Sequence, residues 1–266
     1  VQAVNNQDRP IIIGVVLLEP VLPLKSATRI NLINVFAPPS AEHWLGADEN
    51  GRDVLARLVA GGRISLTIGF AAAILTVLVG SVLGLVAGYF GGLVDRMIMR
   101  FTDGVLAIPV FFLLLAIVAL WGPTPTVLIV SLALTRWMGT ARLIRGEVLR
   151  FKSSDFVMAA GALGAGDGRI MLRHLLPQTM PALIVSTSMG VGNVMLLEAG
   201  FSYLGLGILP PTPSWGNMLT ASQYYVWSAP MLAVWPGLLI LLSVLSFNSL
   251  GDVLRDSLDP RRRSGA

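Results

Sequence analysis

The sequence predicts an all-α, polytopic membrane protein with about six transmembrane helices and a sizeable cytoplasmic loop. Composition is the first observation behind this prediction: hydrophobic residues make up 54% of the chain and charged residues 13%, whereas soluble proteins carry roughly 25% charged residues. The second observation is that long uncharged runs alternate with short polar segments. The chain contains no cysteine, which excludes disulfides, thiolate nucleophiles and cysteine-based metal sites.

Five apolar runs approach the roughly 20 residues that cross the hydrocarbon core of a bilayer. In chain order they comprise residues 64–90, 104–121, 126–144, 175–197 and 231–250. A shorter apolar run at 11–24 is interrupted by Glu19 and two prolines, and it is counted as the first span. In the second span, Gly80, Gly84 and Gly88 share one helical face, which predicts that a neighbouring helix packs closely against it.

The distribution of basic residues predicts the orientation of the spans. Arg96 and Arg100 follow the second span, further basic residues surround the loop between the fourth and fifth spans, and arginines again follow the last span. Because Lys and Arg concentrate in cytoplasmic loops, these regions and the N-terminus are predicted to be cytoplasmic. Arg52, Arg57 and Arg63 fall on the outer side and count against this rule, but acidic residues accompany them.

This topology divides the chain into three regions. Residues 1–63 form an N-terminal span and an outer segment, residues 64–251 form the transmembrane domain, and residues 252–266 form a cytoplasmic tail. Within the transmembrane domain, residues 147–177 make the cytoplasmic loop and residues 201–230 make an outer loop.

The cytoplasmic loop has the composition of two short surface helices. Two serines and Asp155 offer N-cap oxygens for a first helix that starts near Phe156. Asp167 can cap a second helix, which is predicted to end at Pro177 because proline cannot continue it. The first helix carries small residues, namely Ala159, Ala160, Gly161, Ala162, Gly164 and Ala165. Another backbone can approach such a helix closely, so the loop is interpreted as a docking site for a soluble partner rather than as a linker.

Four segments carry a resemblance to a known family. The loop resembles the EAA motif of ATP-binding-cassette (ABC) importer permeases, in which E-A-A-x-x-x-G precedes a Leu-Pro. The matching residues are Ala159, Ala160, Gly164, Leu176 and Pro177. The other segments, HWLGADENGRDVLARLVAGGRISL from His43, LEAGFSYLGLGILPPTPSWGNML from Leu197 and FNSLGDVLRDSLDPR from Phe247, resemble segments of peptide and nickel permeases. The resemblance covers most of residues 43–261, and within the family the chain looks like the second, shorter permease of dipeptide and oligopeptide importers.

The resemblance implies the type I ABC importer permease fold in a bacterial plasma (inner) membrane. It implies a heterodimeric permease shared with a sister subunit, two cytoplasmic ATPases that bind ATP and Mg²⁺, and an extracytoplasmic substrate-binding protein. This chain is then expected to be a non-catalytic subunit that binds no cofactor of its own. It lacks the G-x-x-x-x-G-K-[ST] loop that would hold the phosphates of ATP.

The substrate implied by the resemblance is a di- or oligopeptide, imported by alternating access. Nickel, haem or another solute remains open within the same class of transporter. An ATP-independent secondary transporter or channel is the alternative from a different class, but coupling ions call for polar intramembrane sites, and the spans contain little of that beyond Glu19. Nucleic-acid binding is disfavoured because the basic residues are dispersed between apolar runs.

The first loop helix is similar to the coupling helix that sits in a groove of the ATPase. The contact residues implied by this similarity are Asp155, Phe156, Met158, Ala159, Ala160 and Gly164, with Arg169, Arg173 and Pro177 fixing the second half of the loop. The family usually has Glu at the position of Met158 and Arg at that of Gly161. Asp155 and a Glu three residues later would form a reciprocal capping box, which Met158 cannot complete.

Four residues are candidates for lining the transport pathway: Arg136, Glu198, Tyr203 and Trp215. Arg136 lies deep in an apolar run, where an ionisable residue is costly and often functional; pairing with the sister subunit and snorkelling to an interface are the alternatives. Glu198 is favoured as an interfacial carboxylate that the outer loop satisfies, and aromatic residues are also typical of membrane interfaces. His43 and His174 are predicted on opposite sides of the membrane, so no metal site is expected.

Overall fold

The computed structural model describes residues 26–258, and the regular structure in this range is helical. The helices are α1 (Val54–Phe90), α2 (Gly92–Leu106), α3 (Val110–Trp121), α4 (Pro125–Leu134), α5 (Trp137–Phe151), α6 (Asp155–Ala162), α7 (Asp167–Tyr203), α8 (Trp215–Ser222) and α9 (Met231–Leu258). Short 3-10 turns occur at Leu32–Asn34 and Gln223–Tyr225. The predicted all-α class is confirmed.

Three of these helices, α1, α7 and α9, are long and apolar enough to cross a membrane. The pairs α2–α3 and α4–α5 are each bent at a short break, and the number of candidate spans in the described residues rises to five if each pair is one span. The predicted first span, residues 11–24, lies outside the described residues.

The helices extend further than the apolar runs predicted. Helix α1 begins at Val54, well before residue 64, because the carboxylate of Asp53 accepts a hydrogen bond from the backbone N–H of Ala56 at 2.8 Å. An acidic side chain in this position caps a helix start. Helix α9 likewise continues past residue 250 to Leu258. Hydrophobicity predicts the part of a helix that lies in the membrane, whereas capping determines where the helix begins.

The spans predicted over residues 104–121 and 126–144 each fall on a bent pair of helices. Proline disfavours the helical conformation for the residue before it, so Pro109 separates α2 from α3, whose axes differ by 83°. Helices α4 and α5 differ by 41°, and the break between them falls at Thr135 and Arg136. Both pairs therefore change direction within what the sequence presents as a continuous apolar run.

The prediction that Pro177 ends a helix is also wrong. Helix α7 runs from Asp167 through Pro177 to Tyr203. Its turn Ile170–Leu175 is a π-helix, and the N–H of Leu176 donates to the carbonyl of Met171, five residues back. A π turn holds an extra residue and widens the helix, which moves the preceding carbonyls away from the proline ring that would otherwise clash with them.

Contacts divide the described residues into two units. The first unit combines residues 26–70, 121–128 and 192–246. Its outer segment folds around buried charges: Asp48 accepts a hydrogen bond from Nε of Arg52 at 2.7 Å and lies 3.3 Å from Nε of Arg57. These pairs explain why Arg52 and Arg57 occur on the predicted outer side, since acidic residues of the same segment neutralise both.

The second unit combines residues 71–120, 129–191 and 247–258. The glycine face of α1 packs against α5, as predicted. A Cβ added to Gly84 would lie 2.5 Å from the carbonyl oxygen of Ala141, and one added to Gly88 would lie 2.8 Å from the Cβ of Val148. The two backbones therefore approach closely, in the way that small residues permit between membrane helices.

Gly84→Ala is expected to destabilise the protein by about 1–2 kcal/mol, because the added methyl group meets the backbone of α5 and overpacking of this kind has that cost. The matched control is Gly139→Ala, since a Cβ at this other helical glycine meets open space. The thermal unfolding midpoint of the purified protein in detergent measures both effects. A Gly84→Ala midpoint at or above that of Gly139→Ala would contradict the close packing.

Candidate functional site

Helix α6 begins at Asp155, one residue before the predicted start near Phe156. Ser154 occupies the N-cap position with an extended backbone, but its hydroxyl donates to the carbonyl of Phe151 instead of capping the helix. Asp155 is the first helical residue, where its charge favours the positive end of the helix dipole. The N-cap position is Ser154, so the third helical residue is Val157 and Met158 lies one position beyond it.

The end of α6 shows why a glycine stands at position 164. The N–H of Gly164 donates to the carbonyl of Gly161 at 2.9 Å, and the N–H of Ala165 donates to that of Ala160 at 3.0 Å. This pair of bonds is a Schellman motif, which places the residue after the C-cap in the left-handed region. Gly164 has a φ of +80°, and a Cβ there would meet open space. Backbone conformation, and not crowding, requires glycine here.

The inner face of α6 packs against the ends of three longer helices. Val157 is buried in a cluster that joins α1, α5 and α7; the other buried members are Leu85, Ile144, Val148, Ile170, Leu175 and Leu183. Ala160 and Ala165 pack against the same cluster. The second alanine of the motif therefore faces inward, although the sequence placed it among the contact residues.

Tyr89, at the end of α1, holds both flanks of the loop. Its hydroxyl donates to the carboxylate of Asp167 at 2.7 Å, and its backbone carbonyl accepts a hydrogen bond from Nζ of Lys152. Asp167 was predicted to cap the second helix, but the N-cap position belongs to Gly166 and Asp167 is the first helical residue. This role of Tyr89 could not be predicted, because an aromatic residue at the end of an apolar run is typical of any membrane interface.

The outer face of α6 and its C-terminal turn is exposed. Met158 is 56% exposed and Leu163 is 89% exposed. The remaining exposed residues of this face are Asp155, Phe156, Ala159, Gly161, Ala162 and Gly164. Arg169, Arg173 and Pro177 are exposed on the first turns of α7. The loop thus presents a largely apolar surface on which alanines and glycines lie between larger side chains, namely Phe156, Met158 and Leu163.

The family model for binding-protein-dependent transport system inner membrane components matches residues 80–264. The chain belongs to this family. It is 40% identical to a dipeptide transport system permease protein of Alkalihalophilus pseudofirmus, over 94% of this chain and 82% of that protein. It is 39% identical to the nickel transport system permease protein of Escherichia coli strain K12, over 87% of this chain and 83% of that protein.

A solved structure shows the same fold. The chain of a methionine ABC transporter, MetNI, in an inward facing conformation superposes with a TM-score of 0.62 at 20% identity, covering 77% of this permease and 97% of that chain. The predicted type I ABC importer permease fold is confirmed. The permease is a multi-pass membrane subunit of the inner membrane, and permeases of this class work with ATPase subunits and with substrate-binding proteins.

The structure places the four pathway candidates of the permease in different surroundings. Arg136 is half-buried at the break between α4 and α5. Tyr203, the last residue of α7, is 45% exposed. Trp215, by contrast, is fully buried, and its indole N–H donates to the carbonyl of Leu58 at 2.8 Å. Trp215 therefore packs within the chain and presents no surface to a solute.

Glu198 is also fully buried, in the first unit of the permease. Its carboxylate accepts hydrogen bonds from the hydroxyls of Ser202 at 2.7 Å and Ser65 at 3.2 Å. The hydroxyl oxygen of Ser65 in turn accepts a hydrogen bond from the backbone N–H of Trp215 at 3.2 Å. Buried carboxylates need such donors, so Glu198 ties α1, α7 and the start of α8 together. Among the described residues, no group of three or more His, Asp or Glu could hold a metal ion.

Gly164→Ala is expected to destabilise the end of α6 by about 1–2 kcal/mol, the cost of a left-handed conformation for a residue with a Cβ. Hydrogen–deuterium exchange of residues 155–166 in the purified permease should become faster. Gly161→Ala is the matched control, because this glycine lies inside α6 with open space around it, and alanine there should slow exchange. Equal exchange in the two variants would contradict the Schellman assignment.

Proposed function

We propose that this permease is the non-catalytic membrane subunit of a peptide importer, and that α6 is the helix through which cytoplasmic ATPases move it. The observation that carries the proposal is the position of α6: its inner face is buried against three long helices, while its outer face exposes small residues together with Phe156, Met158 and Leu163. A short helix with small exposed residues can fit a groove in another protein. Because α6 packs on three long helices, a displacement of α6 moves those helices too.

The mechanism is alternating access. A groove on the ATPase holds the outer face of α6, and closure of the two ATPases on ATP displaces this helix. Because Val157 packs with α1, α5 and α7, those helices move with α6 relative to the sister permease. Nucleotide and the loaded binding protein can drive this change only through different affinities for the inward-open and outward-open states.

A di- or oligopeptide is the substrate that we propose. The similarity to a dipeptide permease extends over 94% of the chain, and the similarity to a nickel permease is nearly as great, so nickel is the competing cargo. The complete transporter, with sister permease, ATPases and binding protein, should be reconstituted in liposomes and supplied with a labelled dipeptide or with nickel. ATP-dependent uptake of the dipeptide supports the proposal. Uptake of nickel alone, or uptake without the ATPases, contradicts it.

The docking face can be mapped with single cysteines, because the native chain has none. Ala159→Cys should react with a membrane-impermeant maleimide from the cytoplasmic side, since Ala159 is exposed. Bound ATPase should protect it about tenfold or more. Ser257→Cys, also exposed and near the end of α9, is the control that should stay reactive. Labelling of Ala159→Cys from the outside, or labelling unaffected by the ATPase, would refute the docking face.

A larger side chain at the same position should block the docking. Ala159→Trp is expected to abolish peptide-stimulated ATP hydrolysis, because the indole prevents close approach of the two backbones, while thermal stability stays within a few degrees of the wild-type value. Ala159→Ser changes the volume little and should retain activity. Normal coupling in the tryptophan variant would remove α6 from the interface.

A further inference from the structure

Arg136 lies near the middle of the membrane. The carbonyl of the next residue, Trp137, sits against the glycine face of α1, since a Cβ added to Gly80 would come within 2.8 Å of it. Gly80 stands ten residues before Phe90, the end of α1, which is about 15 Å at 1.5 Å per residue. The hydrocarbon core is about 30 Å thick, so this distance corresponds to half of its depth.

The polar contacts of the loop fix the reference level for this depth. Tyr89, next to the end of α1, is bonded to Lys152 and Asp167, and charged side chains of this kind mark the boundary between the membrane and the cytoplasm. The run 64–90 carries no charge at all. Arg136 therefore lies at the level of a part of α1 that contains no charged residue.

No acidic residue of the described chain neutralises this cation. Within residues 26–258 the guanidinium of Arg136 has no ion pair and no side-chain hydrogen bond. The nearby arginines of α5 differ, because Arg142 pairs with Asp103 and Arg145 pairs with Asp95. A charged side chain at mid-membrane depth is costly and faces a protein partner or a water-filled path.

We infer that Arg136 binds the carboxylate of the substrate during its passage, which makes it a specificity-determining residue. The inference rests on the proposed peptide-import function. A guanidinium pairs with a carboxylate through two parallel N–H···O bonds, and a peptide with a free C-terminus carries that group. A bare divalent cation such as Ni²⁺ is repelled by the same charge. Arg136 lies at the break between α4 and α5, and irregular backbone at membrane depth occurs where it is buried in protein or lines a cavity.

The test compares Ala-Ala with Ala-Ala amide in the complete reconstituted transporter, each at a concentration that saturates the binding protein. Arg136→Gln should lower the initial rate of Ala-Ala import about tenfold, the expected loss for one charge-assisted hydrogen bond. Import of the amide should change less than twofold. Arg136→Lys keeps the charge without the bidentate geometry and should lower Ala-Ala import only a few-fold. The binding protein is the same throughout, so its own preference cancels between variants.

Arg142→Gln is the control, because this arginine is exposed and paired to Asp103; it should affect both cargos equally. An equal fall for both cargos in Arg136→Gln would overturn the inference and indicate a pair with an acidic residue of the sister subunit. Unchanged import of both would overturn it as well and indicate snorkelling to an interface. If Arg136→Gln does not assemble, Arg136→Lys decides the question through the same ratio. Failure of the wild-type transporter to import either peptide would reject the proposed function itself.

Discussion

The burial of Val157 against α1, α5 and α7 is the interaction that stabilises the short helix α6. A helix of eight residues is too short to persist alone in water, because nucleation is costly and few hydrogen bonds repay it. Burial of one valine side chain contributes roughly 1.5–3 kcal/mol, and the cluster around Val157 includes residues of α1, α5 and α7. The helix therefore exists as part of the membrane domain, and a force applied to it acts on that domain.

The two alanines and the glycine of the loop motif serve different physical purposes. Ala159 lies on the exposed face, where a small side chain permits close approach of a partner. Ala160 packs inward against the cluster and accepts one of the two bonds of the Schellman motif. Gly164 provides the positive φ that this motif needs. All three residues are small, but Ala160 is needed for packing and Gly164 for backbone conformation, whereas Ala159 is the one that we propose for docking.

Apolar runs predicted which segments are buried in the membrane, but the ends of helices depended on local contacts. Residue 64 was a poor estimate for the start of α1, since the helix begins at the Asp53 cap and includes Arg57 and Arg63, which hydropathy excludes. The two prolines behaved in opposite ways: Pro109 breaks the chain, whereas the π turn before Pro177 lets α7 continue. Both have the same chemistry, and helices also continue through Pro181 and Pro236, so the presence of a proline does not by itself predict the end of a helix.

Tertiary contacts were the part of the site that sequence could not supply. The role of Tyr89 depends on Asp167, 78 positions away in the chain. The setting of Glu198 depends on Ser65, 133 positions away. Neither pair has a spacing that a helical or strand period would generate. By contrast, the glycine face of α1 was predictable, because three small residues at intervals of four must share one face.

The same packing that seats α6 also connects it to Arg136. Val148 belongs to the cluster around Val157, and it is the residue that a Cβ at Gly88 would strike. Two further glycine contacts, at Gly84 and Gly80, continue along α5 toward Trp137. Interiors packed at this density transmit displacement with little compression. A displacement of α6 would therefore be carried by α1 and α5 together to the level of half-buried Arg136.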